Sequence, residues 1–299
     1  MQRIAVLLVC VGVFPGGVGM AQQAAGTALW RLAATTLPLP PALATGTAAV
    51  FWNPAQIEDS ARTQLGLEGI QTPAAIGASG MLAAIRIRAG GVGQIGFVYG
   101  HVGLSDLTRT GDSPDPIGSA VPVYTSAFGL TWSRPVSGTA LGAALAYHDT
   151  RLDAAQVTHW TFDIGLSREI TPGLRVAAAT HFFSSLHTSD PAQDVYAGVE
   201  YRVWQGPLWG DRGVLRARYG LAFGHGFTAD HQLGAGIEVG RVVALDLGVT
   251  REGSYGAGGW RAAAGVRVTI GKYRVTLARD AGVSQIGSAY RVGVDARFR

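Results

Sequence analysis

The chain has little charge for a soluble protein. Of its 299 residues only 15% are charged, whereas 47% are hydrophobic. A soluble domain usually carries about 25% charged residues, so this chain is short of groups that favour water. Its mean hydropathy of +0.21 indicates the same. The composition therefore argues against a soluble globular protein.

Long hydrophobic runs are missing as well. A membrane-spanning helix needs roughly 18 or more consecutive apolar residues, and no internal stretch of the sequence provides them. The hydrophobic residues are instead interleaved with small and polar ones. This pattern excludes helical membrane spans but fits the wall of a membrane barrel, whose two faces alternate along each strand.

Cysteine and lysine are nearly absent, since Cys10 is the sole cysteine and Lys272 the sole lysine. The net charge of +4 is spread along the chain, mostly as single arginines. No basic cluster is interleaved with aromatic residues, so we expect no nucleic-acid partner.

The N-terminus has the pattern of an export signal. Arg3 supplies a positive start, and Ile4–Phe14 form an apolar core that is too short to span a bilayer. Gly19-Met20-Ala21 offers small residues where a signal peptidase cuts. We predict a signal peptide over residues 1–21, with cleavage after Ala21.

From about residue 62 onward, apolar residues recur at every second position, which is the period of a β-strand. In the last segment the large apolar residues share one face: Tyr290, Val292, Val294, Ala296 and Phe298. The other face carries small and charged residues: Arg291, Gly293, Asp295 and Arg297. Segments of this kind start near residues 62, 76, 92, 120, 140, 156, 174, 193, 214, 233, 242, 260, 273 and 290. We predict about fourteen antiparallel strands.

A soluble β-sandwich would also alternate, but its second face would meet water and carry Lys, Glu, Thr and Ser. Here that face carries Gly and Ala with isolated Arg, Asp and Glu, which suits a crowded barrel interior. A closed barrel also satisfies every backbone hydrogen bond within hydrocarbon. We therefore predict an all-β fold, a transmembrane antiparallel β-barrel over residues 62–299, in the outer membrane of a Gram-negative envelope.

The turn signals support this topology. Four tight turns are predicted on the periplasmic side: Ala89-Gly90-Gly91, Thr171-Pro172-Gly173, Gly240-Arg241 and Gly271-Lys272. The longest loop, Ser105–Gly118, is predicted on the opposite side.

Residues 22–61 behave differently from the rest. Leu37-Pro38-Leu39-Pro40-Pro41 cannot form a central strand, because proline has no amide hydrogen to donate to a neighbouring strand. An apolar, proline-bearing segment ahead of a barrel needs burial. We predict that it forms an N-terminal plug, or hatch, inside the lumen.

Within this segment lies Gly46-Thr47-Ala48-Ala49-Val50-Phe51-Trp52-Asn53-Pro54-Ala55. It resembles the hatch signature of the long-chain fatty-acid transporter (FadL) superfamily, and Phe51, Trp52, Asn53, Pro54 and Ala55 give it a form similar to the PorV-like branch. The resemblance implies a fourteen-stranded barrel with an N-terminal plug. From the residues alone, Asn53-Pro54 could also be a simple turn in which the asparagine caps backbone amides.

The functions of this superfamily are implied for the chain by the resemblance alone. Its fatty-acid-transporter members capture hydrophobic molecules between long outer loops and pass them through a plugged lumen. PorV-like members act in export and surface attachment of secreted proteins. Our hypothesis is an outer-membrane barrel that binds or transports a hydrophobic or amphipathic small molecule. One alternative is a type IX secretion or surface-attachment component with a secreted-protein partner, and another is a structural barrel without transport activity.

Charged residues on the inward face allow two interpretations. They could line an anion-selective path, or they could pair with each other and hold the plug. Pairing is favoured, because a buried charge without a partner is costly. The lumen-facing candidates are Arg86, Arg175, Glu200, Arg202, Arg216, Arg218, Glu238 and Arg267.

His148, His159 and His181 would point inward on three consecutive strands. A transition-metal or haem site is one interpretation, since imidazole is a common ligand. The other is that histidine suits the polar rim of a barrel, and we favour it, so we expect no metal or other cofactor. No Ser-His-Asp spacing or carboxylate pair typical of a hydrolase stands out, so we expect no enzymatic activity; an outer-membrane hydrolase is the alternative.

Phe298 closes the apolar face of the last strand and is followed by Arg299. This face resembles the C-terminal strand signature that the outer-membrane assembly machinery reads. The resemblance implies that machinery as a partner during assembly, with outer-membrane lipid as the partner of the folded barrel.

Overall fold

The computed structural model describes residues 21–56, 61–73, 75–109, 120–183, 193–224, 228–253, 259–282 and 287–298. The N-terminal part forms helix α1 (Ala21–Ala34), a 3₁₀ turn (Pro41–Leu43) and helix α2 (Thr47–Trp52). A further 3₁₀ turn spans Gly90–Val92. The strands follow in chain order: β1 (Thr63–Gln71), β2 (Ala78–Arg88), β3 (Gln94–Leu104), β4 (Val123–Val136), β5 (Thr139–Leu152), β6 (Ala155–Thr171), β7 (Leu174–His181), β8 (Asp194–Leu208), β9 (Asp211–Gly224), β10 (Asp230–Val239), β11 (Val243–Arg251), β12 (Trp260–Ile270), β13 (Tyr273–Asp280) and β14 (Ala289–Phe298).

The fourteen strands form one closed barrel. Each strand pairs antiparallel with its neighbours in sequence, and β1 pairs with β14, so that Thr63 lies opposite Phe298. The predicted number and direction of strands are confirmed. Predicted starts near residues 120 and 233 correspond to observed starts at Val123 and Asp230.

The two faces of the barrel carry opposite chemistry. On the outer face, Leu130 and Trp160 are each 58% exposed. On the inner face, Asp163 and Arg291 are each only 2% exposed. A protein in water would reverse this arrangement, whereas a barrel in a bilayer needs an apolar outer wall. The barrel is therefore a transmembrane one.

The two ends of the barrel differ in their connections. At one end, here called the short-turn end, six connections of two to five residues join successive strands: 89–93, 137–138, 172–173, 209–210, 240–242 and 271–272. All four predicted periplasmic turns lie there. The opposite end, called the loop end, has the longer connections, although β5 and β6 are joined by residues 153–154 alone. Of the predicted loop Ser105–Gly118, residues 110–118 lie outside the described residues.

The N-terminal segment, residues 26–56, packs against the inner face of the barrel. Helix α1 contacts β3 to β5, the 3₁₀ turn Pro41–Leu43 contacts β7 to β9, and α2 contacts β1 to β3. Trp30, Leu43 and Trp52 are at most 1% exposed. No helix in the described part of the chain is long and apolar enough to cross a membrane.

Two sequence predictions for this region are not tested by the fold. The predicted signal peptide lies outside the described residues except at Ala21, where α1 begins. The contacts of residues 26–56 are compatible with the predicted hatch, and closure of the lumen by this segment stays a prediction. The proline argument did not predict that α1 precedes the proline-rich stretch.

Candidate functional site

The motif residues Phe51–Ala55 begin in the last turn of α2, continue into the turn after it and are buried. The side chain of Asn53 is fully enclosed: its Oδ1 accepts a hydrogen bond from the Ala55 amide at 3.0 Å, and its Nδ2 donates to the Ala42 carbonyl at 2.7 Å. Gln56 Nε2 donates to the same carbonyl at 2.7 Å. Asn53 therefore caps a backbone amide, as in a simple turn, and also ties this turn to the 3₁₀ turn.

The barrel wall presents glycines where it meets the motif. Gly142 on β5 and Gly165 on β6 both face it. A Cβ atom at Gly142 would overlap the backbone of Pro54 and Ala55, and one at Gly165 would overlap Asn53 Oδ1. Because the segment approaches the wall so closely, these two positions have room only for glycine.

Aromatic rings form the centre of the buried segment. Phe51 packs on Trp30 with ring centroids 4.6 Å apart, and Trp52 packs on His181 of β7 at 5.2 Å. Trp52 also meets Tyr196 of β8 edge-on at 5.9 Å. These contacts bury large apolar area between the segment and one side of the wall, which stabilises their association.

Arg291 on β14 is the main polar anchor of the segment. Its Nε donates to Thr36 Oγ1 at 2.9 Å and its Nη2 to the Ala33 carbonyl at 2.8 Å, while Nη1 forms an ion pair with Glu68 of β1. Both charged side chains are at least 90% buried. One arginine thus links two strands to the end of α1.

Carboxylates of the wall also cap α2. Asp295 Oδ1 accepts from the Thr47 amide at 3.0 Å and from the Thr47 hydroxyl at 2.7 Å. Glu68 Oε1 accepts from the Ala48 amide at 3.0 Å. The first amides of a helix have no partner within it, so these acceptors satisfy groups that would otherwise be buried alone.

Further polar links surround the segment. Arg31 of α1 forms an ion pair with Asp194 of β8 at 2.6 Å. Arg86 Nη1 donates to the Gln56 carbonyl at 2.6 Å, and Arg175 Nη1 donates to Gln56 Oε1 at 3.2 Å. The segment is therefore tied to the wall on several sides.

Six of the eight lumen-facing candidates lie together at the short-turn end. Arg218 Nε donates to Glu200 and its Nη1 to Asp246, both at 2.6 Å. Arg216 pairs with Glu238 at 2.9 Å and Arg175 with Glu200 at 3.2 Å. Arg267 belongs to the same group, and its Nη1 donates to Thr45 Oγ1 at 3.2 Å.

Arg86 and Arg202 lie apart from this group. Arg86 donates to the Gln56 carbonyl of the N-terminal segment. Arg202 lies on β8 next to a bulge between residues 202 and 204, and its Nη1 donates to Gln205 Oε1 at 3.0 Å. Arg202 still pairs with the inward-facing Arg216, and the bulge changes the alternation only beyond it.

The six grouped residues line a cavity of about 930 Å³, here called the basic cavity. Sequence reasoning missed Arg241 and Lys272 among its lining residues, because both were interpreted only as turn residues. Their place between β-strands whose inward faces carry arginine was the available signal.

A second cavity, the apolar cavity, lies at the loop end and measures about 540 Å³. Its apolar lining comes from the segment and from the wall: Ala28, Leu29, Leu32, Ala34, Leu37, Pro41, Ile76, Leu104, Leu221 and Ala222. Six charged residues line it as well: Arg31, Asp194, Asp230, Glu252, Arg261 and Asp280.

A small cavity of about 40 Å³ lies between these two. It shares Leu37 with the apolar cavity, and it shares Leu39, Thr45, Arg267 and Arg274 with the basic cavity. The stretch Leu37–Leu39 therefore separates the two larger spaces, against the inner wall formed by β11 to β14.

The three histidines are close together but do not form a metal site. His148 and His159 stack with centroids 5.1 Å apart, and His181 Nδ1 donates to Asp163 Oδ2 at 2.6 Å. The ring of Phe182 packs against both His148 and His181. Among the described residues, no group of three His, Cys, Asp or Glu side chains is arranged to hold a metal ion.

Phe298 lies at the short-turn end of β14, opposite Thr63, and is 37% exposed on the outer face. Lys272 Nζ lies 4.8 Å from the centre of its ring. This position is compatible with the predicted assembly signal, which stays a prediction.

Comparisons with known proteins show similarity of fold to other outer-membrane barrels. No family model matches the chain, and no curated protein is similar to it. Among solved structures, it is similar to the P. putida toluene transporter TodX, with 11% identity and a TM-score of 0.53, over 86% of this chain and 95% of that one. A TodX deltaS2S3 mutant, described as a monoaromatic hydrocarbon channel, gives 12% and 0.55 over 85% and 95%. The Acinetobacter baumannii outer membrane protein Omp33 gives 8% and 0.49 over 80% and 98%. At these identities the similarity shows the fold alone.

Proposed function

We propose that the chain is an outer-membrane channel or transporter for a hydrophobic or amphipathic small molecule, and that the N-terminal segment is its plug. The observation that carries this proposal is the apolar cavity, enclosed between the segment and the loop end of the barrel. Its volume lies in the usual range for a small-molecule site, and its apolar side chains with charged groups beside them suit an apolar ligand with a polar end.

The two TodX structures support the ligand class by analogy. One is named a toluene transporter and the other a monoaromatic hydrocarbon channel. A barrel of similar fold with an apolar cavity beside its N-terminal segment suits the same kind of cargo. The resemblance of Phe51–Ala55 to the hatch signature of the long-chain fatty-acid transporter superfamily agrees with this.

A route through the lumen follows from the three cavities. The ligand would enter the apolar cavity from the loop end and pass Leu37–Leu39 at the small cavity, along β11 to β14. The motif Phe51–Ala55 lies on another side, enclosed by Gly142 and Gly165. In this proposal the motif holds the plug in place, while Leu37–Leu39 form the narrow point that must yield.

The test uses the purified barrel and two matched variants on β9. Ala222→Trp would fill the apolar cavity, whereas Ala217→Trp places the same side chain on the outer face, where Ala217 is exposed. We would measure copurified apolar molecules by mass spectrometry and the binding of radiolabelled toluene and palmitate in detergent. We expect binding by the natural chain and by Ala217→Trp, and its loss in Ala222→Trp.

The proposal is overturned if the natural chain holds no more apolar ligand than empty micelles do, or if folded Ala222→Trp binds as well as the natural chain. Copurification of a secreted protein's targeting domain, with no apolar ligand, would point to the secretion alternative. Copurification of neither an apolar ligand nor a targeting domain would point to a structural barrel. Heat-modifiability on a gel would verify that each variant is folded.

A further inference from the structure

The apolar cavity has charged side chains on two of its sides. On one side, Arg31 of α1 pairs with Asp194 of β8, and its Nε donates to both carboxylate oxygens. One cation meets one carboxylate there, so this pair is balanced. The other side is lined by Glu252, Arg261 and Asp280, which lie at or next to the loop ends of β11, β12 and β13. We call these three residues the acidic corner.

In the acidic corner one arginine serves two carboxylates. Arg261 Nη1 donates to Glu252 Oε1 at 2.5 Å, and Arg261 Nε forms an ion pair with Asp280 Oδ2 at 2.8 Å. All three side chains are largely buried. Two carboxylates and one guanidinium leave the corner with a net charge of −1.

The surroundings of the corner do not supply a second cation. Arg261 is the only cation that lines the cavity on this side, among the residues that the structure describes. The neighbouring Arg251 and Arg279 are exposed on the outer face of the wall. The undescribed residues of the loops after β11 and β13, 254–258 and 283–286, include no Lys, Arg or His.

Asp280 also has an acceptor that the described part of the chain leaves unused. The residue is only 2% exposed, and its Oδ1 accepts from the Gly282 amide at 2.7 Å. Its Oδ2 accepts no hydrogen bond, because the ion-pair contact with Arg261 Nε lacks the required geometry. A buried acceptor without a donor is costly, and a donor brought by a ligand would offset this cost.

A ligand in the apolar cavity would meet this corner with its polar end. A carboxylate would add a third negative group beside one guanidinium, which is unfavourable where water is largely excluded. An ammonium group would instead donate to Asp280 and balance the net charge, through charge-assisted hydrogen bonds that are stronger than neutral ones. The corner therefore discriminates between amphipathic ligands by the charge of their polar end.

We propose that the ligand of the apolar cavity is an amphipathic amine. Its apolar part lies among Leu29, Leu32 and Leu221, and its amino group donates to Asp280 and Glu252. This proposal rests on the function proposed above, because it needs the apolar cavity to be a ligand site. It compares ligands that have the same apolar part, so a fatty acid with a long chain can still bind through that chain.

The test uses three radiolabelled probes that share one ring and differ in the polar end: toluene, benzylamine and benzoate. Their binding to the purified full chain in detergent would be measured by equilibrium dialysis at neutral pH, against empty micelles. Benzylamine is then a cation and benzoate an anion. We expect benzylamine to bind about tenfold or more tightly than benzoate, the size of one charge-assisted contact.

Asp280→Asn tests the contact directly, because it keeps the shape of the side chain and removes its charge. Binding of benzylamine should weaken about tenfold, while binding of toluene should not change. Asp153→Asn is the matched control, since Asp153 is a partly exposed carboxylate at the same end, between β5 and β6 and outside the cavity. It should bind all three probes as the natural chain does.

Glu252→Gln gives a second variant in case the buried Asp280→Asn does not fold, which heat-modifiability on a gel would show. It removes the other carboxylate of the corner and should weaken benzylamine binding in the same direction. Unchanged benzylamine binding in every folded variant of the corner overturns the proposal.

The natural chain separates this proposal from the function on which it rests. Binding of toluene with equal or weaker binding of benzylamine than of benzoate would overturn the amine proposal and leave the proposed function in place. Binding of none of the three probes above the level of empty micelles would overturn both. Preference for benzylamine that depends on Asp280 would support both.

Discussion

Replacing Arg291 by methionine should release the N-terminal segment from the barrel. Methionine keeps much of the length of the side chain but removes its charge and all its donors. The change deletes the hydrogen bonds to Thr36 and to the Ala33 carbonyl, and it leaves Glu68 buried without its cation. Two of the links that hold the segment are lost in one step, together with the ion pair between β14 and β1.

The size of the effect follows from the burial of this pair. Removing one partner of a buried ion pair costs about 3 to 5 kcal/mol, because the remaining charge has no compensation. At 1.4 kcal/mol for each factor of ten, the population of undocked segment should rise roughly 150-fold to 4,000-fold. Adding Glu68→Gln should recover part of this, because it removes the orphaned charge and keeps an acceptor for the Ala48 amide.

Hydrogen–deuterium exchange of the segment measures this population directly. In Arg291→Met, the amides of residues 26–56 should exchange faster by about the factor above, while those of the strands do not change. Arg261→Met is the control, since Arg261 is similarly buried but pairs with Glu252 and Asp280 of the barrel. Unchanged exchange of the segment in folded Arg291→Met would refute the reasoning.

Three further changes have defined outcomes. Asn53→Ala removes the acceptor of the Ala55 amide, which should lower the stability of the docked segment by about 1 to 3 kcal/mol, seen as faster exchange at that amide. Gly142→Val should displace the segment, because the valine side chain would overlap the backbone atoms of Pro54. The single-channel conductance of the variant should then exceed that of the natural chain, and equal conductance of the two would contradict the close contact. Phe298→Ala should lower the yield of heat-modifiable barrel if Phe298 is the assembly signal, whereas Tyr290→Ala on the same face should do so less.

Alternation made the barrel predictable from the sequence, because it is a local property. Each strand shows its two faces in its own residues, as 290–298 do, so the number and direction of strands followed without knowledge of the partners. The bulge in β8 shows the limit of this argument. One extra residue there shifts the register near Arg202, and a period of two cannot anticipate it.

The candidate site was less predictable, because its contacts join distant parts of the chain. The sequence placed Arg291 on the charged face of the last strand, but its hydrogen bonds to Ala33 and Thr36 at the end of α1 depend on how the segment folds inside the barrel. Helix α1 itself was not anticipated, since the proline-rich stretch beyond it dominated the interpretation. Arg241 and Lys272 were assigned to turns, and only the closed barrel brings these turns to the mouth of a cavity.

The central claim is that hydrocarbon surrounds the outer wall of the barrel. Spin labels at single cysteines on β4 test it most directly. Leu130→Cys places the label on the outer face, and Thr131→Cys places it on the inner face, where Thr131 is only 4% exposed. In bilayers, the label at residue 130 should be highly accessible to oxygen and inaccessible to a water-soluble nickel complex, and the label at 131 should lack that lipid signature. Access of the nickel complex to residue 130, equal to that of an exposed loop position, would contradict the account.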